Sequence, residues 1–331
     1  TEGYLFQYFP STGQMKQTEA FHNNSIKSLA LDGNGDLLAG TDNGLYVYHN
    51  DVTPLQHIIH DSRNIQSLTN NIIWNIFADQ EHNIWLGTDY GISLSRYNSA
   101  LQFIPISQIT GTGDGNQFYS LFRDSKGFYW FGGTNGLIRF TDPAGDKHNA
   151  IWYRMGDKTY PLSHNRIRHI YEDKEQQLWI ATDGSINRYD YATRQFVHYN
   201  IVDSTGTYNT NWTYYMFEDN AGHLWISTCL GGIFVVDKHR LMQSASGQYV
   251  AEQNYSVHNG LSGMFINQII PDNEGNVWVL LYNNKGIDKI NPRTREVTKL
   301  FADELNGEKS PNYLLCDEDG MLWVGFHGGV M

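Results

Sequence analysis

Trp74, Tyr119, Arg168 and Tyr214 share one position: each stands five residues before an aspartate, at Asp79, Asp124, Asp173 and Asp219. Lys27, Asn267 and Asn312 hold the same position ahead of Asp32, Asp272 and Asp317, so none of the seven occupants is aliphatic. The position just before is mostly apolar: Ile26, Ile73, Phe118, Ile167, Thr213, Ile266 and Pro311. Aromatic faces beside Asp, Asn, Arg and His edges suit a sugar, which shows apolar C–H patches and many hydroxyls. Polar residues at such a position also simply hydrate a water-filled channel, and both readings stand at this point.

These residues need a scaffold that repeats. Six residues after each aspartate comes an apolar anchor: Leu38, Trp85, Trp130, Trp179, Trp225, Trp278 and Trp323. Three residues after the aspartate, five copies have glycine (Gly35, Gly127, Gly222, Gly275 and Gly320), and His82 and Gln176 fill the other two. The anchors are 47, 45, 49, 46, 53 and 45 residues apart. A period of that length, with short strands and no helical pattern, specifies a propeller with one copy per blade. The fold expected is therefore all-β: a single seven-bladed β-propeller over residues 1–331 with four-stranded antiparallel blades.

Copy two shows the order of strands. Ile72 to Phe77 leads in as inner strand a, and Asp79 to Asn83 turns. Ile84 to Thr88 is strand b, Ile92 to Tyr97 strand c, and Leu101 to Ile106 the outer strand d. The aspartate caps backbone N–H groups in its turn and the tryptophan packs between blades, so neither needs a functional reason. Strand a starts at the face that carries the d–a and b–c loops, which places the seven shared positions at the channel mouth. The b–c turns bring Asp42, Asn43, Asp89, Tyr90, Thr134, Asn135, Asp183, Tyr282, Asn283, Lys285 and His327 to the same face. Asn and Asp also favour turns for conformational reasons alone. Of the tryptophans off the repeat, Trp74 and Trp212 fall near the mouth, and Trp152 is the third.

The ends complement each other. Gly3, Leu5, Tyr8, Thr12 and Met15 match the offsets of Gly184, Ile186, Tyr189, Thr193 and Phe196. Residues from about 3 to 20 are thus expected to supply strands c and d, and about 311 to 330 strands a and b, of one closing blade. Such closure removes the exposed edges. The chain is expected to be a fragment of a larger protein. His239 to Gly247, in the longest interval, reads as an extended outer loop.

A net charge of −12 argues against a nucleic-acid binder and against docking on an anionic membrane. No apolar run approaches the ~18 residues a spanning helix needs. Cys229 and Cys316 fall in copies that are not neighbours, so both are expected as free thiols. Asp32-Gly33-Asn34-Gly35-Asp36 opens like a calcium loop but has Leu37 where glycine belongs and Asn43 where a bidentate glutamate belongs, so it is rejected as one. No histidine spacing suits a metal, and neither metal nor cofactor is expected.

The run Asn83-Ile84-Trp85-Leu86-Gly87-Thr88-Asp89-Tyr90-Gly91-Ile92, the run Leu178 to Gly184, and Ser67-Leu68-Thr69-Asn70-Asn71 ahead of strand a resemble the two-component regulator propeller repeat. The resemblance covers the whole chain. It implies a non-catalytic periplasmic sensor of a bacterial hybrid two-component system, in which a second propeller, an immunoglobulin-like domain, a membrane helix and a histidine kinase with its phosphorelay parts belong to the same protein. It also implies an oligosaccharide released from dietary or host polysaccharide as ligand. Those neighbouring domains, and a second copy in a homodimer, are the implied partners. The family has no strict binding motif, so the candidate ligand residues come from position alone: Trp74, Asp89, Tyr90, Tyr119, Asn135, Arg168, Trp212 and Tyr214.

Two rival classes share the fold. A sialidase-like ring needs an arginine cluster, whereas only Arg168 falls at the expected mouth. A lyase would use a histidine or carboxylate there, with His327 and Asp89 as the pair available. The other rival is a ring that only binds protein, and fold alone does not decide among them.

Overall fold

The computed structural model describes residues 2–3, 5–17, 21–22, 24–49, 54–97, 103–105, 117–141, 150–159, 161–244, 248–282, 286–300 and 309–328. Asn283 and Lys285, residues 18–20 and 329–330 of the closing stretches, and the side chain of His327 lie outside the described residues.

Seven antiparallel sheets form the blades of a propeller. Blade two orders Ile73–Ala78, Ile84–Thr88, Gly91–Ser95 and Ile104–Pro105 as strands a to d. One sheet joins the two ends of the chain: Lys309–Cys316 and Leu322–Gly328 pair with each other, and Leu5–Phe9 and Gln14–Gln17 follow as the outer strands. Apolar side chains gather in seven clusters, one between each pair of neighbouring blades. The cluster of Leu5, Ile26, Leu29 and Tyr313 closes the ring between last blade and first. Packing this tight needs small residues in strand b. A Cβ on Gly132 would collide with Ile167 of the next blade, and one on Gly87 would stand 2.6 Å from the Phe118 carbonyl.

The repeat aspartate does more than turn the chain. In blade two, one Asp79 oxygen accepts the N–H groups of Glu81 and Asn83, and the other accepts the indole N–H of Trp85 at 2.8 Å. The same indole-to-carboxylate bond recurs in every copy that has the tryptophan, at 2.7–3.1 Å. Asp and Trp thus form one unit: the carboxylate holds the turn and satisfies the only polar atom of a buried ring. The calcium-like stretch is this same turn, with Asp32 accepting from Asn34 and Asp36.

The stretch read as an outer loop contains a helix, Lys238–Gln243, capped by Asp237. Beyond it, Gln248–Val250 adds a fifth, parallel strand to the outer edge of blade four. Both cysteines are unpaired. Among the described residues no helix is long and apolar enough to cross a membrane, and no group of side chains is arranged to hold a metal.

Candidate ligand-binding mouth

Each blade breaks the pairing of its strands a and b at one place. In blade one Ile26 pairs Thr41 and Ser28 pairs Gly40, which leaves Lys27 unpaired. In blade four Ile167 pairs Thr182 and His169 pairs Ala181, which leaves Arg168 over. The same shift leaves out Trp74, Tyr119, Tyr214, Asn267 and Asn312. All seven mouth positions are the extra residue of a β-bulge. A bulge releases its residue from the ladder's alternation and re-aims the side chain, and bulges gather beside functional sites.

Five of the seven side chains form a continuous stacked arc. The Lys27 ammonium lies 4.5 Å from the centre of the Trp74 ring. Trp74 meets Tyr119 edge to face at 5.4 Å. The Arg168 guanidinium lies between aromatic rings, 5.8 Å from Tyr119 and 4.5 Å from Tyr214. Amides fill the other two positions: Asn267 donates to the Asn312 carbonyl at 3.2 Å, and Asn312 donates to the Ile26 carbonyl at 2.7 Å. The five stacked side chains are half-buried, held sideways by one another rather than standing free in solvent.

Carboxylates from the b–c turns hold the arc in place. Trp74 donates its indole N–H to Asp89 at 2.5 Å. Asp183 takes two hydrogen bonds from Arg168 and lies 3.7 Å from Arg166. Tyr119 donates to Gln117 at 2.6 Å. Burial lowers the pKa of Lys27, while Asp42 and Asp89 pull it back up. Burial raises the pKa of Tyr119 and Tyr214, against the pull of Arg168.

The remaining candidates stand further out. Tyr90 is 60% exposed on the b–c turn of blade two. Asn135 is exposed, and its carbonyl accepts from Arg154 at 3.3 Å. Trp212 is 49% exposed and has a left-handed backbone, φ +55°. Its N–H donates to the Asp183 carbonyl and its own carbonyl accepts from Cys229, so blades four and five both hold it there. Leu230, Phe265 and Tyr282 are also exposed on this face. Trp152 is not at the mouth; it lies in an outer strand under the Arg154 guanidinium.

Sequence position brought together Trp74, Asp89, Tyr119, Arg168 and Tyr214. It passed over Lys27, which shares their position and stacks on Trp74, and Asp183, which the b–c turn pattern contained. A lone lysine and a turn aspartate each have an ordinary surface reading, and only the lateral contacts reveal their place.

The two component regulator propeller family model matches residues 67–90, 112–135 and 161–184. Each match ends in a b–c turn, and the first and third begin in the loop that leads into strand a. The extracellular domain of BT4673 from B. thetaiotaomicron, described as a hybrid two-component system, is 95% identical over 99% of this chain, with a TM-score of 0.66. The corresponding domain of BT3049 from the same organism is 22% identical over 93% of the chain, with a TM-score of 0.73. Histidine kinase P4 of Formosa agariphila is 26% identical over 57% of the chain. The chain spans 44% of the BT4673 domain, 38% of the BT3049 domain and 13% of the kinase.

Proposed function

Because this chain belongs to the two-component regulator propeller family, we propose that it is a sensor propeller outside the cytoplasmic membrane, within a larger hybrid two-component protein, and that its ligand is an oligosaccharide. The observation that carries the ligand class is the bulge-borne arc: four blades in succession, two to five, set Trp74, Tyr119, Arg168 and Tyr214 side by side at the mouth. Aromatic faces with carboxylates and amides beside them match the alternation of C–H patches and hydroxyls on a sugar. In this reading the ligand sits off the axis, against the blades that carry the arc.

In this reading the propeller performs no chemistry. Every cation of the arc is engaged by a neighbour, and Asp89 is engaged by an indole. The propeller itself would lie in the periplasm and the kinase of the intact protein would carry the activity, with a second propeller, an immunoglobulin-like domain and a second copy as partners. A signal follows only if the ligand binds two arrangements of the receptor with different affinity.

A thermal-shift screen of this chain against plant and host oligosaccharides tests the reading. Ligand at about 100 times Kd adds roughly 2.7 kcal/mol of stability. The expected result is one glycan class that raises the melting temperature and is recovered intact. A panel without any shift rejects the ligand class; released product rejects the non-catalytic role.

A further inference from the structure

The charges around the stacked arc face one another. Among the described residues, the cations in the arc or paired with its carboxylates are Lys27, Arg166 and Arg168, and the carboxylates acting on them are Asp42, Asp89 and Asp183, while Arg154 stands further out against Asn135 and Trp152. Three positive and three negative charges leave a formal sum of zero. Each of the three has a neighbour inside the protein. Arg168 spends Nε and Nη2 on Asp183, and its flat face lies against Tyr214. Arg166 leans on the same carboxylate at 3.7 Å. Lys27 lies over the Trp74 ring in the fields of Asp42 and Asp89.

An anionic ligand would have to take Arg166 or Arg168 from Asp183, or draw Lys27 off the Trp74 ring and away from the fields of Asp42 and Asp89. That leaves a carboxylate without its partner in a half-buried site, beside the incoming negative charge, and both effects oppose binding. An uncharged polyol meets no such opposition. Its hydroxyls can donate to the carboxylate oxygens still free to accept, since an ionised carboxylate has about four acceptor sites. Its C–H faces can cover the aromatic rings.

We infer that the mouth selects uncharged oligosaccharides and excludes those that carry uronate or sulfate groups. The inference rests on the sensor reading above and narrows its ligand.

The test is calorimetry on this chain in 50 mM and in 500 mM NaCl. Four neutral probes are used, β-1,4-linked hexamers of glucose, xylose, mannose and galactose. Two acidic ones are used beside them, a galacturonate hexamer and a heparin disaccharide. A neutral hexamer should bind with a Kd that changes less than about twofold between the two salt concentrations, because no counterions are exchanged. Each acidic probe should bind at least about 30-fold more weakly in 50 mM salt. An acidic probe that binds as tightly as the best neutral one overturns the selection, as does an affinity that falls tenfold with salt; either leaves the oligosaccharide reading intact. Failure of every probe, neutral and acidic, counts against the reading itself and the inference with it.

Discussion

Asp183 accepts two hydrogen bonds from Arg168, 2.8 Å from Nε and 3.3 Å from Nη2, and through its backbone carbonyl it also holds Trp212. One turn residue of blade four thus fixes the arginine of the arc and the exposed indole beyond it. The paired form of recognition that arginine offers a carboxylate is already used inside the protein.

Asp183→Asn should therefore change both stability and selectivity. The amide still accepts hydrogen bonds, but the guanidinium loses its counter-charge. Charge-assisted hydrogen bonds contribute about 1.5–3 kcal/mol, and a loss of that size is expected in urea denaturation. The freed arginine should raise affinity for a galacturonate hexamer at least tenfold. A variant that is destabilised and still ignores the acidic sugar would mean that Arg168 does not face the ligand.

The scaffold was legible because its signal is local. Aspartate, turn and tryptophan satisfy each other within seven residues, so every copy must keep the spacing whatever surrounds it. The bulges were not legible. Lysine, tryptophan, tyrosine, arginine and asparagine all occupy them, and what they share is a shift in backbone pairing that no residue type signals. The partners of the arc come from different blades, so Lys27 beside Trp74 and Arg168 beside Tyr214 have no pattern along the chain. The helix Lys238–Gln243 was missed for a related reason. Too short to show a periodic apolar face, it is held by buried Leu241 and by buried Lys238, whose partners lie in two blades.

That lysine gives a second prediction. Lys238 Nζ lies 2.8 Å from Glu218 and 3.2 Å from Asp173, with all three side chains nearly inaccessible, and Glu175 stands at 3.6 Å. The pair of buried carboxylates depends on this cation, and Asp173 also holds the Trp179 indole. Burial opposes the charge on Lys238, yet Glu218 and Asp173 keep its pKa raised. Lys238→Met leaves both carboxylates buried without a counter-charge, and breaking such a cluster costs about 3–5 kcal/mol. Chemical denaturation should show that loss. A change below about 1 kcal/mol would mean that water reaches the carboxylates in the variant.

The residue beneath Arg168 makes stability depend on pH. His169 stacks on Tyr215 with ring centres 3.7 Å apart, and its Nδ1 accepts the Met216 N–H. Burial pushes its pKa from 6.5 down to about 3. The unfolded chain therefore takes up a proton below pH 6.5 that the folded protein refuses until about pH 3. The contribution of His169 to stability is complete above the unfolded pKa and declines as pH falls through this window. The slope is at most about 1.4 kcal/mol per pH unit. His169→Gln retains an acceptor and removes the titration. Between pH 7.5 and 5.0 the unmodified protein should lose up to about 2 kcal/mol more than the variant. Equal losses would mean that the folded protein protonates His169 freely.

Trp212 carries two costs that do nothing for the fold. A non-glycine residue in the left-handed region costs about 1–2 kcal/mol, and Trp212 sits there at φ +55°. Its indole is 49% exposed, so much of its apolar surface stays in water. Hydrogen bonds to Asp183 and Cys229 keep the backbone in that conformation and present the ring to solvent beside the arc. Strain of this kind persists where a side chain must be displayed. Trp212→Gly keeps the backbone geometry and removes both costs. Relief of strain is offset by the greater freedom of glycine in the unfolded chain, about 0.5–1 kcal/mol, so stability should stay level or rise by about 1 kcal/mol. Affinity for the glycan found in the screen should fall about 30-fold, the loss of ~2 kcal/mol expected when an aromatic anchor is removed. Trp212→Ala should lose the same affinity without the gain in stability, because it keeps the strained φ. Thermal melts and calorimetry on the two variants separate the effects. Unchanged binding in both would show that the indole is no platform for the sugar. A loss of stability beyond about 2 kcal/mol in the glycine variant would show that the ring packs rather than displays.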